Sequence, residues 1–147
     1  MKLALSYFYW HQKIGPIELY SYGKFPKTEE DLLFWLSSNE DFISSTQSSI
    51  SGPFYNRRWV IMCYHRAINT PDAKDKRLRL LGTDCWVLLA TQKKYELLLQ
   101  SKIDIIKMVL DIEFESITEL YQLSAPIADQ TTKAICQLFY LEDECWQ

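Results

Sequence analysis

The chain opens on a nearly unbroken apolar and aromatic run from Leu3 to Trp10, interrupted only by Ser6. A strand buried on both faces produces such a run, whereas a half-wet strand alternates. A second run, Ile17 to Tyr22, follows across His11-Gln12-Lys13-Ile14-Gly15-Pro16, and the pair predicts a hairpin. Pro16 has no N–H to give to a ladder, so it belongs in the corner or at the first residue of the second strand. Gly23-Lys24-Phe25-Pro26 marks a turn out of the hairpin. The period then changes. Thr28 can cap free amides, Glu29, Glu30 and Asp31 suit the positive end of a helix dipole, and Leu32, Leu33, Trp35 and Leu36 supply an apolar face. A first helix is predicted there. Ser44 to Gly52 is polar and serine-rich, which predicts a flexible connection.

Phe54 to Ile68 is rich in β-formers, most densely from Trp59 to Tyr64, and Asn69 to Lys74 forms a turn-rich loop. Arg77 to Leu81 alternates charged and apolar residues, the pattern of a strand wet on one face. Cys85 to Ala90 reads as a buried strand, or the two segments form one bent strand. From Gln92 to Ile112 the apolar positions Tyr95, Leu98, Leu99, Ile103, Ile105, Ile106, Val109 and Leu110 fall on one broad helical face, with Lys93, Glu96, Gln100, Asp104, Lys107 and Asp111 opposite. Lys102 projects near the middle of that face, either as a snorkelling stem or as a functional lysine. Glu113 to Tyr121 reads as acidic and irregular. A last helix is predicted from Ser124-Ala125-Pro126, burying Ile127, Ile135, Leu138 and Phe139. The class is α/β in the α+β sense: a central, mostly antiparallel five-stranded sheet in the order β-β-α-β-β-β-α-α, as one domain over residues 1–147.

Composition agrees with one well-filled core. Of the 147 residues, 48% are hydrophobic and 14% aromatic, ample material for a single domain of this length. No apolar run reaches the roughly 18–20 residues of a membrane span, and the start lacks a small-residue cleavage site, so a cytoplasmic protein is expected. The net charge of -3 argues against nucleic acid as a partner. Four cysteines, Cys63, Cys85, Cys136 and Cys145, show no CxxC spacing and read as reduced, buried thiols.

Chemistry-bearing arrangements are sparse. Cys63 and His65 alternate on one strand and share a face, too far apart there for direct contact; a core cysteine and a surface histidine are the plain alternative. Neither a metal-ligand spacing nor a phosphate-cradling glycine loop occurs, so no catalytic residue, metal or cofactor is expected. Charge is more informative. Residues 57–79 hold Arg57, Arg58, Arg66, Lys74, Lys76, Arg77 and Arg79 against Asp72 and Asp75, a local excess of five positive charges in a chain of net -3. This stretch reads either as a solvated strand that guards a sheet edge or as a docking patch for an acidic protein surface or anionic lipid. The five tryptophans and nine tyrosines either pack the core or anchor a contact surface.

The order of elements, with Phe8-Tyr9-Trp10-His11-Gln12-Lys13-Ile14-Gly15-Pro16-Ile17-Glu18-Leu19-Tyr20 at its head, resembles the longin domain and the related roadblock and profilin-like folds. The helix after CWVLLAT is placed like that family's long helix after the last strand. Ser44–Gly52 and the basic 69–79 loop depart from the family pattern. The resemblance implies a longin-like sandwich acting as a non-catalytic scaffold: a subunit that dimerises, with itself or with another longin- or roadblock-like chain, and serves as a platform or regulator for a small GTPase or a membrane-trafficking complex. It implies a pairing surface at Leu32, Trp35 and Leu36, with Arg57, Arg58, Lys74, Lys76, Arg77 and Arg79 facing an acidic partner or a membrane to which the protein is peripheral. The alternative is a small ligand-sensing domain or thiol-dependent enzyme with a pocket near Cys63, His65 or Lys102.

Overall fold

The computed structural model describes residues 1–11, 14–24, 48–68, 70, 76, 82–117 and 122–145, with backbone alone over 141–145. Within them, five strands form one sheet: β1 (Leu3–His11), β2 (Gly15–Tyr22), β3 (Ser49–Asn56), β4 (Trp59–Ile68) and β5 (Thr83–Gln92). Their spatial order is β2-β1-β5-β4-β3, and every neighbouring pair is antiparallel. The α+β class and the five-stranded antiparallel sheet are therefore as the pattern predicts. The three least polar segments, β1, β4 and β5, are also the three interior strands, because only a strand paired on both sides and covered on both faces tolerates so few polar groups.

One strand is a correction. Ser44–Gly52 was expected to be a flexible connection, yet Ser49 onward is β3, an edge strand paired only with β4. Its polarity reflects a half-exposed position at the sheet edge. A register shift between Ser51 and Phe54 hides the alternation as well: Ile50 packs toward one core and Phe54, two strand positions on in parity, toward the other. The helix expected from Thr28 and the strand expected over 77–81 lie outside the described residues.

Three helices follow β5 after a 3-10 turn at Lys93–Tyr95: α1 (Glu96–Ser101), α2 (Ile103–Glu115) and α3 (Ala125–Cys145). The helix expected over 92–112 is thus broken at Lys102, a turn residue with φ of -105° and ψ of -1° between the two helices, and it runs on through Glu115 where irregular chain was expected. The break resets the helical phase, which explains the lysine's apparent intrusion on the apolar face. Lys102 donates its backbone N–H to the Leu99 carbonyl and accepts from Ile106, so it closes one helix and opens the next.

The sheet has two buried faces. Leu5, Tyr7, Val60, Met62, Tyr64, Val87 and Leu89 point to the helices, where Leu99, Ile106, Leu110, Phe114, Ile135 and Phe139 meet them. Each such side chain contributes on the order of 1.5–3 kcal/mol by leaving water. Ala4, Phe8, Ile61, Cys63, Trp86, Leu88 and Ala90 form a second buried cluster on the opposite face, to which no described helix contributes.

Candidate interaction surface

The thiol and imidazole singled out in the sequence are sealed into the second face. Cys63 is 1% exposed and His65 2% exposed. Burial pushes the Cys63 thiol far above its usual range, so the thiolate needed for nucleophilic attack does not form at neutral pH. The Cys63 Sγ is turned 3.8 Å toward the Tyr64 carbonyl, while His65 Nε2 lies 2.7 Å from Asp84 Oδ1 with its ring against Trp86. The two residues share a face, as alternation requires, but His65 is committed to Asp84 and not to the thiol. This arrangement argues against a thiol-dependent site at Cys63 and His65. Among the described residues no group of three or more His, Cys, Asp or Glu side chains is placed to hold a metal ion.

The aromatic load divides cleanly. Tyr7, Tyr64 and Trp86 are fully buried. Buried hydroxyls need partners, and the sheet tyrosines find them in the helical layer. Tyr7 Oη is 3.1 Å from Thr132 Oγ1, Tyr64 donates to Asp111 at 2.7 Å, and Tyr20 donates to Asp129 at 2.8 Å. These rings hold sheet to helices and are not contact anchors. Among the described residues the exposed aromatics are Tyr22, Tyr55 and Tyr140.

Those exposed rings stand at one end of the sheet, and so does a group of cations. In this antiparallel order β1 and β4 start, and β2, β3 and β5 finish, at the same end. Lys2 precedes β1, and its carbonyl accepts from the Thr91 hydroxyl near the end of β5. Lys24 follows β2, after Gly23, whose φ of +74° and approach to the Leu3 carbonyl leave no room for a side chain. Arg57 and Arg58 form the two-residue turn between β3 and β4, where Asn56 pairs with Trp59. The Lys93 N–H donates to the Arg58 carbonyl at 2.7 Å, which brings Lys93 and Lys94 beside that turn. All six basic side chains are exposed.

Aromatic rings support the lysines. Lys93 Nζ lies 5.3 Å from the centre of the Tyr55 ring, and Lys94 Nζ 5.1 Å from that of Tyr95. Among the described side chains, the carboxylate in this neighbourhood is Glu96, which the Tyr55 hydroxyl engages. A cleft of about 560 Å³ opens among Lys2, Lys24, Tyr22, Trp59, Gln92 and Tyr140. The hydrogen bond with Tyr140, ahead of the nearby Cys136 thiol, pushes the Tyr22 hydroxyl up to about 12. Leu97, 83% exposed, adds an apolar group just beyond the lysines.

The single basic patch expected over 57–79 is therefore divided. Arg57 and Arg58 precede β4, whereas Lys76, exposed, follows it. Ten residues at about 3.3 Å each put roughly 30 Å of strand between them. Arg66, near the far end of β4, is half-buried and bonds to Tyr64. Lys74, Arg77 and Arg79, together with Leu32, Trp35 and Leu36, lie outside the described residues. Sequence reading missed Lys2, Lys24, Lys93 and Lys94 because they are scattered over ninety positions. The available signal was their placement: each sits just outside a predicted strand, and antiparallel pairing gathers those strand ends.

No described helix is long and apolar enough to cross a membrane. Comparison with protein-family models, with curated proteins and with solved structures finds no match to this chain.

Proposed function

We propose that the protein is a non-catalytic interaction module of the longin/roadblock-like kind, a subunit that dimerises and serves as a platform or regulator for a small GTPase or a vesicle-trafficking complex, in contact with an anionic membrane. The observation that carries this reading is the arrangement of elements. A β1–β2 hairpin turning at Gly15-Pro16 joins an antiparallel meander of β3, β4 and β5, and helices after the last strand pack on one face. These described elements agree with the order on which the resemblance rests, the helix between β2 and β3 lying outside the described residues, and the buried Cys63 thiol lends no support to a thiol-dependent reading.

The two sheet edges differ in their fitness for pairing. β3 carries Pro53, which has no N–H to offer a neighbouring strand, and a register shift beside it. β2 has its proline at the start, at Pro16, and although Leu19 is left out of its pairing with β1, every residue beyond the proline keeps an N–H. Edge-to-edge pairing is accordingly assigned to β2, with Leu32, Trp35 and Leu36 as the helical part of the pairing surface.

The test is a titration of the purified chain with small GTPases loaded with GDP or with a non-hydrolysable GTP analogue. The reading predicts saturable binding to at least one GTPase, with a difference between its two nucleotide states and a loss of ten-fold or more, about 1.4 kcal/mol, in Trp35→Ala. Absence of binding across a representative set, by a chain that is also monomeric, contradicts it.

A further inference from the structure

We infer that the basic end of the sheet docks the protein onto a membrane surface bearing anionic phospholipids. Lys2, Lys24, Arg57, Arg58, Lys93 and Lys94 converge there from four separate parts of the chain, with Glu96 the one carboxylate beside them among the described side chains and Glu142, Asp143 and Glu144 following Tyr140 along α3. The inference rests on the proposed membrane contact above but moves it to a different set of residues, and it needs neither a dimer nor a GTPase.

Three features separate this end from an ordinary solvated surface. Lysines that protect a sheet from aggregation lie along its edge strands. Here four of the six basic residues flank β1, β4 and β5, the interior strands, where no edge needs guarding. Second, the cations alternate with side chains suited to the boundary between water and lipid. Tyr22, Tyr55 and Tyr140 join an apolar ring to a polar tip, and Leu97 stands in water with nothing described packed over it. Third, the positive end belongs to a chain of net -3. The resulting separation of charge favours turning this end toward a negative surface. A nucleic acid fits less well, since its long-range field would repel the molecule as a whole. An acidic protein would satisfy the cations but gives no reason for the tyrosines and Leu97 around them.

The decisive experiment is co-sedimentation of the full chain with vesicles of phosphatidylcholine alone and of phosphatidylcholine with roughly one quarter phosphatidylserine. Binding to the anionic vesicles alone is expected, weakening as salt shortens the screening length. Lys93→Gln/Lys94→Gln should lower the partition coefficient about 25-fold, from about five-fold per cation removed. Leu97→Ser should lower it further, and Lys76→Gln, beyond the far end of β4, should leave it unchanged. All four side chains are on the surface, so circular dichroism should report an unaltered fold. No sedimentation at low salt, equal binding to neutral vesicles, or an equal loss with Lys76→Gln overturns the inference. So does binding to polyglutamate without binding to vesicles, which would assign this end to an acidic protein. None of these outcomes bears on the GTPase titration, so the two readings fail separately.

Discussion

Asp111 shows how single residues tie the two layers together. It sits on α2, accepts from Tyr64 of the sheet at 2.7 Å, and pairs with Lys107 at 2.9 Å. Burial alone would raise its pKa, but bonds from Ser48, Tyr64 and Lys107 outweigh it and hold the carboxyl below the ordinary 3.8. A carboxylate with a folded pKa below its unfolded one stabilises the fold above the unfolded value, and that stabilisation is lost as pH falls through the folded pKa. Asp111→Asn should therefore flatten the fall in stability between about pH 5 and pH 2, measured as urea midpoints across that range. An unchanged acid slope would show that the bonds of Asp111 carry no linked stability. The pairing of Asp111 with Tyr64 could not be read from the sequence. It joins positions 47 apart through a sheet-to-helix contact, and the 3.6-residue period set Asp111 on the polar face, away from the sheet tyrosine it meets.

Elements were legible in proportion to how purely they obey one period. β1, β4 and β5 are interior, so unbroken apolar runs announced them. β3 escaped notice because an edge strand retains serines and a register shift scrambles its alternation. The α1–α2 break escaped for the opposite reason: both halves keep their apolar residues, and a single wheel drawn through Lys102 still looks amphipathic. The end of β2 was legible from Gly23 alone. Its left-handed φ and the 2.9 Å that would separate an added Cβ from the Leu3 carbonyl make it a residue that cannot be replaced cheaply. Gly23→Ala should cost at least about 1 kcal/mol in chemical denaturation, more than the usual effect of an exposed turn substitution. A neutral result would mean that the turn yields freely, and with it the position of Lys24.

At the scale of the whole molecule, the sequence revealed an abundance of positive charge but misplaced its focus. It ran together Arg57 and Arg58 with residues at the far end of β4, and it passed over four lysines that only the sheet order unites. Topology converts scattered strand ends into a surface, and no local pattern contains that information. The functional proposal draws on the same topology: under it, the hairpin, the meander and the described helices on one face serve as a scaffold that acts through what it binds. The most direct test of that claim is the mass of the purified chain by light scattering over a concentration series spanning the micromolar range. The proposal predicts a species of twice the 17.4 kDa chain mass, or a stoichiometric complex when a cognate longin- or roadblock-like subunit is added. A strict monomer at every concentration, unchanged by any such subunit, would contradict it.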